Sequence, residues 1–432
     1  MERQMKDSGF QWLGMVPKDW NVERLQWHLR EINEKNNPIK TDFVLSLTKD
    51  RGVIPYEEKG AQGNISKENH SEYKLAFPDT IVANSMNVII GSVGYCNYFG
   101  CVSPVYYVFM NNEKNDLRFF NYLFQTAPFQ KLLRNYANGI LEIRLRLSAM
   151  DILKRMIAVP SYDEQQLIAN FLDTKCAQID DVSKKIQEEI DTLEEYKKAV
   201  ITEAVTKGLN PNVEMKESGI QALGKVPDKW NVIRLKYVAD SIRKGSGITK
   251  EQVFPEGDTP CVRYGEIYSK YNISFNKCFS NTFKEKLSSL QWFGRGDILF
   301  AGTGELIEEI GKNIVYEGTD NCLAGGDIII VSHSQDAAFL NFALCSECSQ
   351  KQKSAGKSKL KVVHISASEI GNLYIALPKI EEQRKIGEYL KEKCSSVEKA
   401  IFAKQQQLSI LEEYKKSLIY EYVTGKKEVK AL

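Results

Sequence analysis

The hexapeptide LEEYKK occurs twice in this chain of 432 residues, at positions 193–198 and again at 411–416. The two copies are 218 residues apart, and the same shift relates PSYDEQQLIANFL (160–172) to PKIEEQRKIGEYL (378–390). Lys, Glu and Tyr are readily replaced on most helix surfaces, so a register kept over this distance indicates an internal duplication.

A second pair of related segments opens each half of the chain. SGFQWLGMVPKDWNVERLQW at 8–27 matches SGIQALGKVPDKWNVIRLKY at 218–237, with a shift of 210 residues. Between the kept segments the halves diverge and differ by eight residues in length. Each half therefore has two kept segments and one variable segment.

The segments around LEEYKK have the heptad spacing of long helices that pair through an apolar stripe. The predicted pairing residues are Ile179, Ile186, Ile190, Leu193 and Val200 in the first copy and Val397, Ile401, Leu408, Leu411 and Leu418 in the second. Lys404 interrupts the second stripe. Two equivalent helices can bury their stripes against each other around an approximate two-fold axis. The alternative is two amphipathic helices that pack on separate domains.

The variable segments have the patterns of mixed strand and helix domains. FPDTIVAN (77–84) and GRGDILFAG (294–302) each predict a turn that enters a strand. LRFFNYLFQTAPFQKLLRNYANG (117–139) and AAFLNFALCSECSQKQKSAG (337–356) have helical apolar spacing. Phe119, Phe120, Phe124 and Phe129 are predicted to be core residues rather than platforms for nucleic-acid bases.

Bulk composition indicates a folded protein of the cytoplasm. Hydrophobic residues make up 43% and charged residues 26% of the chain. The charged start MERQMKDSG is unlike a signal peptide, and no apolar run is long enough to cross a bilayer, so no membrane partner is expected. The nine cysteines suit a reducing compartment as free thiols. Cys345 and Cys348 have C-x-x-C spacing without a second ligand pair, so zinc or redox use is the weaker alternative and no metal site is predicted.

Catalytic and nucleotide-binding motifs are not found in the sequence. AGTGELIEEIGKN (301–313) contains glycines but fails both the phosphate-loop and the dinucleotide patterns. No G-x-S-x-G or H-E-x-x-H motif occurs. Asp79 and Asp297 occupy equivalent places and are interpreted as turn residues rather than general bases. No catalytic residue and no cofactor are therefore predicted for this chain.

The distribution of charge suggests contact with nucleic acid. Residues 163–205 contain eleven acids and five bases, a net charge of −6, so the rest of the chain carries +8 within a total of +2. Basic residues alternate at Arg144 and Arg146, and again at Lys357, Lys359 and Lys361. Alternation places each set on one face of an extended segment, where the cations could contact phosphates. The alternative is that they keep an exposed edge strand from pairing with another strand.

The order of these motifs resembles the DNA-specificity subunit of type I restriction-modification enzymes over essentially the whole chain. The resemblance rests on the doubled SG-x-Q-x-L-G segment, on LSAMDILKRMIAVP with ISASEIGNLYIALP, and on the helix openings and LEEYKK helices. It implies an α+β fold with a pseudo-two-fold internal repeat, in which two mixed α/β target recognition domains are separated by an antiparallel coiled coil of two long helices. The expected boundaries are 1–159 and 211–377 for the recognition domains, and 160–210 and 378–432 for the central and distal helices.

The resemblance also implies partners. Two methyltransferase subunits are expected to dock on the kept regions and to supply S-adenosylmethionine chemistry, and restriction subunits can join the complex. Because the two variable domains differ, each is expected to read a different half of a bipartite, asymmetric site on double-stranded DNA, with a gap set by the helices. The competing hypotheses are a coiled-coil scaffold that joins two peptide-binding domains and a self-contained DNA methyltransferase or nuclease.

Base-reading residues cannot be transferred from the family, because the recognition domains are its variable part. The polar side chains that suit base edges or phosphates are Asn64, Lys67, Asn84, Asn87, Lys244 and Lys270. Together with the alternating basic residues above, they form the predicted DNA-binding set.

Overall fold

A computed structural model of the chain describes residues 3–48, 51–60, 69–112, 114–137, 146–358 and 362–429. The chain forms two compact units. The first unit contains residues 1–187 and 406–432, and the second contains residues 188–405. Each unit therefore combines one variable segment with parts of both long helices. Across the ranges given above, no helix has the length and apolar character that a membrane span requires.

The described residues of the first unit form short strands, short helices and parts of both long helices. Its strands are β1 (Met5–Asp7), β2 (Met15–Pro17), β3 (Asn21–Arg24), β4 (Leu29–Ile32), β5 (Leu45–Thr48), β6 (Gly52–Pro55), β7 (Lys74–Ala76), β8 (Thr80–Asn84), β9 (Val93–Cys96), β10 (Gly100–Val102), β11 (Tyr106–Asn111) and β12 (Met156–Val159). Its helices are α1 (Leu117–Phe124), α2 (Ala127–Arg134), α3 (Ala149–Leu153), the first part of α4 (Tyr162–Lys207) and the last part of a second long helix, α9 (Ile380–Val423).

An antiparallel sheet with strand order β4-β11-β8-β9 forms the centre of the first unit. The kept N-terminal segment forms the hairpin β1-β2 and then pairs β3 with β12, the strand that precedes α4. Phe119, Phe120, Phe124 and Phe129 are fully buried, which confirms their prediction as core residues. The segment 117–137 is two helices rather than one, because Pro128 lacks the N–H that a continuing helix needs and fits only in a first turn.

The second unit repeats this frame and adds to it. Its strands are β13 (Met215–Glu217), β14 (Lys225–Pro227), β15 (Asn231–Arg234), β16 (Ala239–Lys244), β17 (Thr259–Val262), β18 (Ser274–Phe275), β19 (Ser280–Thr282), β20 (Trp292–Phe293), β21 (Ile298–Ala301), β22 (Thr303–Gly304), β23 (Asn313–Tyr316), β24 (Cys322–Ala324), β25 (Ile328–His333), β26 (Val363–His364) and β27 (Tyr374–Leu377). Its helices are the last part of α4, then α5 (Tyr264–Ser269), α6 (Ala337–Cys345), α7 (Glu347–Ser354), α8 (Ala367–Gly371) and the first part of α9.

Two sheets form the variable part of the second unit. One has the strand order β16-β25-β21-β23-β18 and the other β19-β17-β24-β20. The second sheet contains a parallel pair, β17 with β24, whereas the central sheet of the first unit is antiparallel throughout. The frame elements match those of the first unit, with the hairpin β13-β14 and the pair β15-β27. The variable region between them is where the two units differ.

The long helices pair in an antiparallel direction within each unit. In the first unit, the rings of Phe171 and Tyr422 are in tilted contact with centroids 4.5 Å apart, and Lys415 Nζ lies 2.6 Å from Asp180 Oδ1. In the second unit, Lys197 Nζ lies 3.5 Å from Glu398 Oε1. These two ion pairs are equivalent, since Lys415 and Glu398 lie 218 residues after Lys197 and Asp180. The α+β fold with paired antiparallel helices confirms the fold class predicted from the repeat.

A buried glutamine anchors the start of each long helix. Gln165 donates to the carbonyl of Pro160 (3.1 Å) and accepts from the backbone N–H of Asp116 (3.0 Å). In the second unit, Gln383 donates to the carbonyl of Pro378 (2.9 Å) and accepts from the N–H of Asp336 (3.1 Å). Each glutamine thus links the strand that enters the long helix to the N-cap of α1 or α6. This contact explains the Pro-to-Gln spacing shared by both copies.

Candidate nucleic-acid interface

A cleft of 820 Å³ opens on the variable part of the second unit. It is bounded by the end of β16, the following loop at 245–250, helix α5 and the turn at 325–327, and is called the glycine cleft below. Gly245 allows its two backbone walls to meet, because a Cβ there would lie 2.1 Å from the carbonyl oxygen of Gly325. The glycines therefore permit a close approach that other residues would prevent.

Cations surround the glycine cleft in excess over carboxylates. Four basic residues line it against two acids, and these are Lys244, Lys250, Arg263 and Lys270 with Glu266 and Asp327. Lys244 and Lys270, which were predicted separately, are thereby brought to one site. Lys244 Nζ lies 3.8 Å from Asp327 Oδ1, and Lys270 Nζ lies 4.4 Å from the ring centroid of Phe279. A concave surface with excess positive charge suits a phosphate backbone.

Exposed aromatic rings complete the glycine cleft. Phe279 is 63% exposed and Tyr264 is 40% exposed, whereas most large apolar side chains of this unit are buried. Aromatic faces beside cations are a common feature of surfaces that contact nucleic-acid bases.

An arginine held by a buried carboxylate forms part of the same wall. Glu266 is 4% exposed, and its Oε1 accepts from Arg263 Nε (3.3 Å) and Nη2 (3.4 Å). Arg263 and Glu266 are not among the residues predicted from the sequence. The R-x-x-E spacing of Arg263 and Glu266 is visible in the sequence. Such spacings are frequent on solvated helices, so the spacing by itself does not indicate a site.

The thiol behind the glycine cleft is neutral at neutral pH. Burial raises the pKa of Cys261 to about 12, and the negative charge of Glu266 acts in the same direction. Burial also raises the pKa of Tyr268 in α5 to about 12, with a further contribution from Glu309. Within the described ranges, no cluster of three or more His, Cys, Asp or Glu side chains is arranged to hold a metal ion.

The first unit brings three of its predicted residues to one edge of its sheet. Asn84 ends β8 and is 9% exposed, with its side-chain oxygen accepting from the N–H of Met86 (3.1 Å). Asn87 follows in the same turn and is half-buried. Arg146 is exposed, and the N–H of the next residue donates to the carbonyl of Ser85 (3.2 Å).

A second concave surface of the first unit lies between its variable part and its helix pair, with a volume of 1460 Å³. Its cations are Arg51, Lys131, Arg134, Lys415 and Lys416, and its acids are Asp180 and Glu412. None of these residues belongs to the predicted DNA-binding set. They come from four separate parts of the chain, so no local pattern could have grouped them.

Six predicted DNA-binding residues remain. One of them, Lys357, has hydrogen-bond partners within the protein, and the other five lie outside the described ranges. Lys357 donates to the carbonyl of His364 (2.6 Å) and to Glu369 Oε1 (2.8 Å). Burial alone would raise the pKa of Glu369, but the hydrogen bonds from Lys357 and Ser366 leave it lowered. Asn64, Lys67, Arg144, Lys359 and Lys361 lie outside the residues that the structure describes.

The predicted helix-pairing residues are divided equally between the units. Ile179 and Leu418 are buried in the first unit, and Ile190, Val397 and Ile401 are buried in the second. The other five are half-buried, and these are Ile186, Leu193, Val200, Leu408 and Leu411. Lys404, which interrupts the apolar stripe, pairs with Glu189 on the facing helix.

Comparison with known proteins identifies the class to which this fold and these surfaces belong. The family model of the type I restriction modification DNA specificity domain matches residues 17–192 and again 227–406. The chain therefore belongs to this family, which comprises the DNA-recognition subunits of type I restriction-modification systems.

Particular relatives match over nearly the whole chain. The type I restriction enzyme MjaVIII specificity subunit of Methanocaldococcus jannaschii is 25% identical over 433 residues, covering 96% of this chain and 95% of the relative. A putative MjaX specificity subunit from the same organism is 22% identical over 97% of this chain and 96% of its own.

Solved structures share the fold. A chain from a study of complex assembly and conformational transition in a type I system matches with a TM-score of 0.71 at 15% identity, over 95% of this chain and 99% of that one. The HsdS subunit of Thermoanaerobacter tengcongensis matches with a TM-score of 0.50 at 15% identity, over 95% and 98% of the two chains.

Proposed function

We propose that this chain reads a bipartite, asymmetric DNA site and docks two methyltransferase subunits without catalysing a reaction itself. The observation that carries the proposal is a repeated frame with divergent surfaces. Both units share the glutamine anchor and the antiparallel helix pair. Among the described residues, only the second unit forms the sheet β19-β17-β24-β20, whose strands β17 and β24 lead into the walls of the glycine cleft. Different surfaces on equal frames suit two different half-sites.

The repeated helices support docking of two equal partners. Tyr196 and Tyr414, the tyrosines of the two LEEYKK copies, are 46% and 54% exposed. The lysine that follows each tyrosine pairs across to the other helix, at Glu398 and at Asp180. The lysine thus belongs to the helix pair, while the tyrosine presents an apolar ring to solvent. Exposed tyrosines at equivalent positions are suitable anchors for two copies of one protein.

Under this proposal, the methyltransferase partners bind S-adenosylmethionine and act on the DNA that this chain selects. Restriction subunits can join the same assembly. The assembly would recognise and methylate the host DNA in the cytoplasm.

Reconstitution with the cognate methyltransferase tests recognition. The chain and its partner, co-expressed in a host that lacks other methylation, should modify one two-part motif, which sequencing of modified bases would reveal. The purified chain with S-adenosylmethionine alone should leave DNA unmodified. Methylation by the chain alone would favour the self-contained enzyme, and a reconstituted complex without sequence preference would favour the scaffold.

Stoichiometry tests docking. Tyr414→Ala should weaken one of two partner sites about 30-fold, as loss of an interface anchor costs about 2 kcal/mol. Native mass spectrometry should then show one partner per chain at concentrations where the wild type binds two. Tyr196→Ala should have an equal effect, and Leu306→Ala, a matched loss of an exposed apolar side chain outside the long helices, should have none. Unchanged binding in both tyrosine variants would contradict the docking site.

A further inference from the structure

We propose that Arg263, held by Glu266, reads a guanine in the half-site recognised by the second unit. The inference rests on the proposed DNA-recognition function and names the residue and base of one contact. It begins with the carboxylate. Glu266 Oε1 accepts from Ser280 Oγ (2.6 Å) as well as from the guanidinium, and Oε2 accepts from the backbone N–H of Arg263 (3.1 Å).

Two residues from separate segments, Arg263 and Ser280, hold Glu266 in place. Ser280 lies in β19, Arg263 precedes α5, and Glu266 itself lies within α5. A carboxylate that is 4% exposed and accepts four hydrogen bonds has no freedom to swing away. It therefore determines the orientation of the guanidinium plane.

The orientation leaves one edge of Arg263 available. Glu266 occupies the edge formed by Nε and Nη2, so the edge formed by Nη1 and the second Nη2 hydrogen remains. Within the part of the chain that the structure describes, no protein acceptor is assigned to Nη1. The side chain of Arg263 is 30% exposed and belongs to the wall of the glycine cleft.

Two parallel donors select guanine among the four bases. In the major groove, guanine presents two neighbouring acceptors, N7 and O6, whereas adenine presents one acceptor and one donor. A guanidinium held in place before binding loses little conformational entropy when it makes both bonds. Lys244 and Lys270 on the same cleft are suitably charged for the flanking phosphates.

The backbone at Gly325 lies close to the chain at Arg263. A Cβ there would lie 3.2 Å from the carbonyl oxygen of Val262, and 3.6 Å, an ordinary contact distance, from Arg263 Cγ. The glycine thus allows the two backbones to approach closely at this wall of the glycine cleft.

The test compares methylation motifs. The full chain carrying Arg263→Gln is co-expressed with its methyltransferase, and modified sites are mapped by sequencing. One guanine position in one half-site should lose its preference roughly ten- to hundred-fold, the range for one bidentate contact, with the other half-site unchanged. Glu266→Gln should relax the same position by a smaller factor, because the carboxylate acts by positioning the arginine. Arg295→Gln, an exposed arginine outside the lining of the cleft, should leave the motif intact.

The outcomes separate this inference from the proposed function. A wild-type complex with a motif that Arg263→Gln does not alter overturns the guanine contact and leaves DNA recognition standing. If Arg263→Gln reduces methylation equally at all sites, Arg263 contacts a phosphate, and the guanine contact is again overturned. A wild-type complex without any motif overturns the proposed function itself. If Arg263→Gln does not fold, Arg263→Lys keeps the charge beside Glu266 but not the two-donor edge, and should relax the same position.

Discussion

Helices α2 and α7 occupy equivalent places in the two units, yet one buries a leucine where the other buries a lysine. Helix α2 begins after Thr126, and α7 begins after Ser346. Seven residues after these hydroxyl residues, α2 has Leu133 and α7 has Lys353. Leu133 is fully buried, and Lys353 is 3% exposed. Equivalent core positions in the two variable parts therefore hold side chains of opposite chemistry.

The lysine is accommodated because its unit supplies acceptors. Lys353 Nζ donates to the carbonyls of Gly311 (2.9 Å) and Leu344 (2.7 Å) and to Asn313 Oδ1 (3.0 Å). Three acceptors match the three donors of an ammonium, so the group is fully hydrogen-bonded although it is buried. The two variable parts thus keep a helix at this place, although one buries an apolar side chain and the other a hydrogen-bonded ammonium. The predictions below test how far the two units are equivalent.

The largest expected difference between the units concerns the glycine that ends each long helix. Gly208 and Gly425 both have positive φ, 77° and 69°. A Cβ on Gly425 would lie 2.3 Å from Pro17 Cγ, whereas on Gly208 its nearest neighbour would be the Trp230 ring at 3.2 Å. Gly425→Ala should lower the free energy of unfolding by about 4 kcal/mol, because it adds both backbone strain and steric overlap. Gly208→Ala should lower it by only about 1 to 2 kcal/mol. Hydrogen exchange in each unit measures these two losses of stability. Equal losses in the two variants would contradict the difference in packing around the two glycines.

The glutamine anchors should have nearly equal effects in the two units. Gln165→Leu and Gln383→Leu each leave a backbone N–H and a carbonyl without a partner, at a cost of about 3 kcal/mol. Local hydrogen exchange at the start of α4 and α9 is the measurement. Gln178→Leu, at an exposed position on α4, is the control and should change stability by less than about 0.5 kcal/mol. A cost confined to one unit would show that the frames are not energetically equivalent.

A pH dependence should separate Lys353 from Leu133. Burial lowers the pKa of Lys353 to about 8, against a weaker opposing effect of Cys345, while the unfolded chain keeps a pKa of 10.5. Between these values the unfolded state binds more protons, so the stability of the second unit should rise with pH by up to about 1.4 kcal/mol per pH unit. Below pH 8 the lysine is charged in both states and adds no slope.

The difference between the wild type and Lys353→Met isolates this effect from other titrating groups. Denaturant unfolding from pH 7 to 10 should show a rise that the variant lacks. Leu133→Met in the first unit is the matched control and should leave the slope unchanged. An identical slope in the wild type and in Lys353→Met would show that the lysine does not change its charge in this range.

The ion pairs between the helices should have the smallest effects. Asp180→Asn removes the partner of Lys415, an exposed pair, and should cost about 0.5 kcal/mol. Glu398→Gln should cost somewhat more, about 1 kcal/mol, because Glu398 also accepts from Asn272 Nδ2 (2.6 Å). Thermal unfolding at low and high salt measures both, and the difference should narrow as salt screens the charges. A larger cost for Asp180→Asn would reverse the comparison.

Periodic features of the fold were predictable from the sequence. The heptad stripe predicted the long helices, and the turn at Asp79 or Asp297 predicted the strands that follow, β8 and β21. Buried aromatics such as Phe119 and Phe124 followed from helical apolar spacing. The break at Thr126 was missed, because apolar spacing continues across it and only Pro128 indicates a new first turn.

The candidate site was only partly predictable. Lys244 and Lys270 were chosen for their chemistry, and β16 and α5 bring them to one cleft. Arg263 and Glu266 were not chosen, because their significance depends on Ser280 from another strand and on burial of the carboxylate. Such contacts between distant segments have no sequence period.

The duplication, the helices and the family follow from the order of residues, since repeats and heptads are properties of the chain itself. Tertiary structure decided how those pieces combine into units, each built from one variable segment and parts of both long helices. It also decided that a lysine can replace a leucine in one core and that Arg263 presents a single free edge. The physical reason is that burial and hydrogen-bond satisfaction depend on neighbours brought from elsewhere in the fold, and these are set only when the chain has packed.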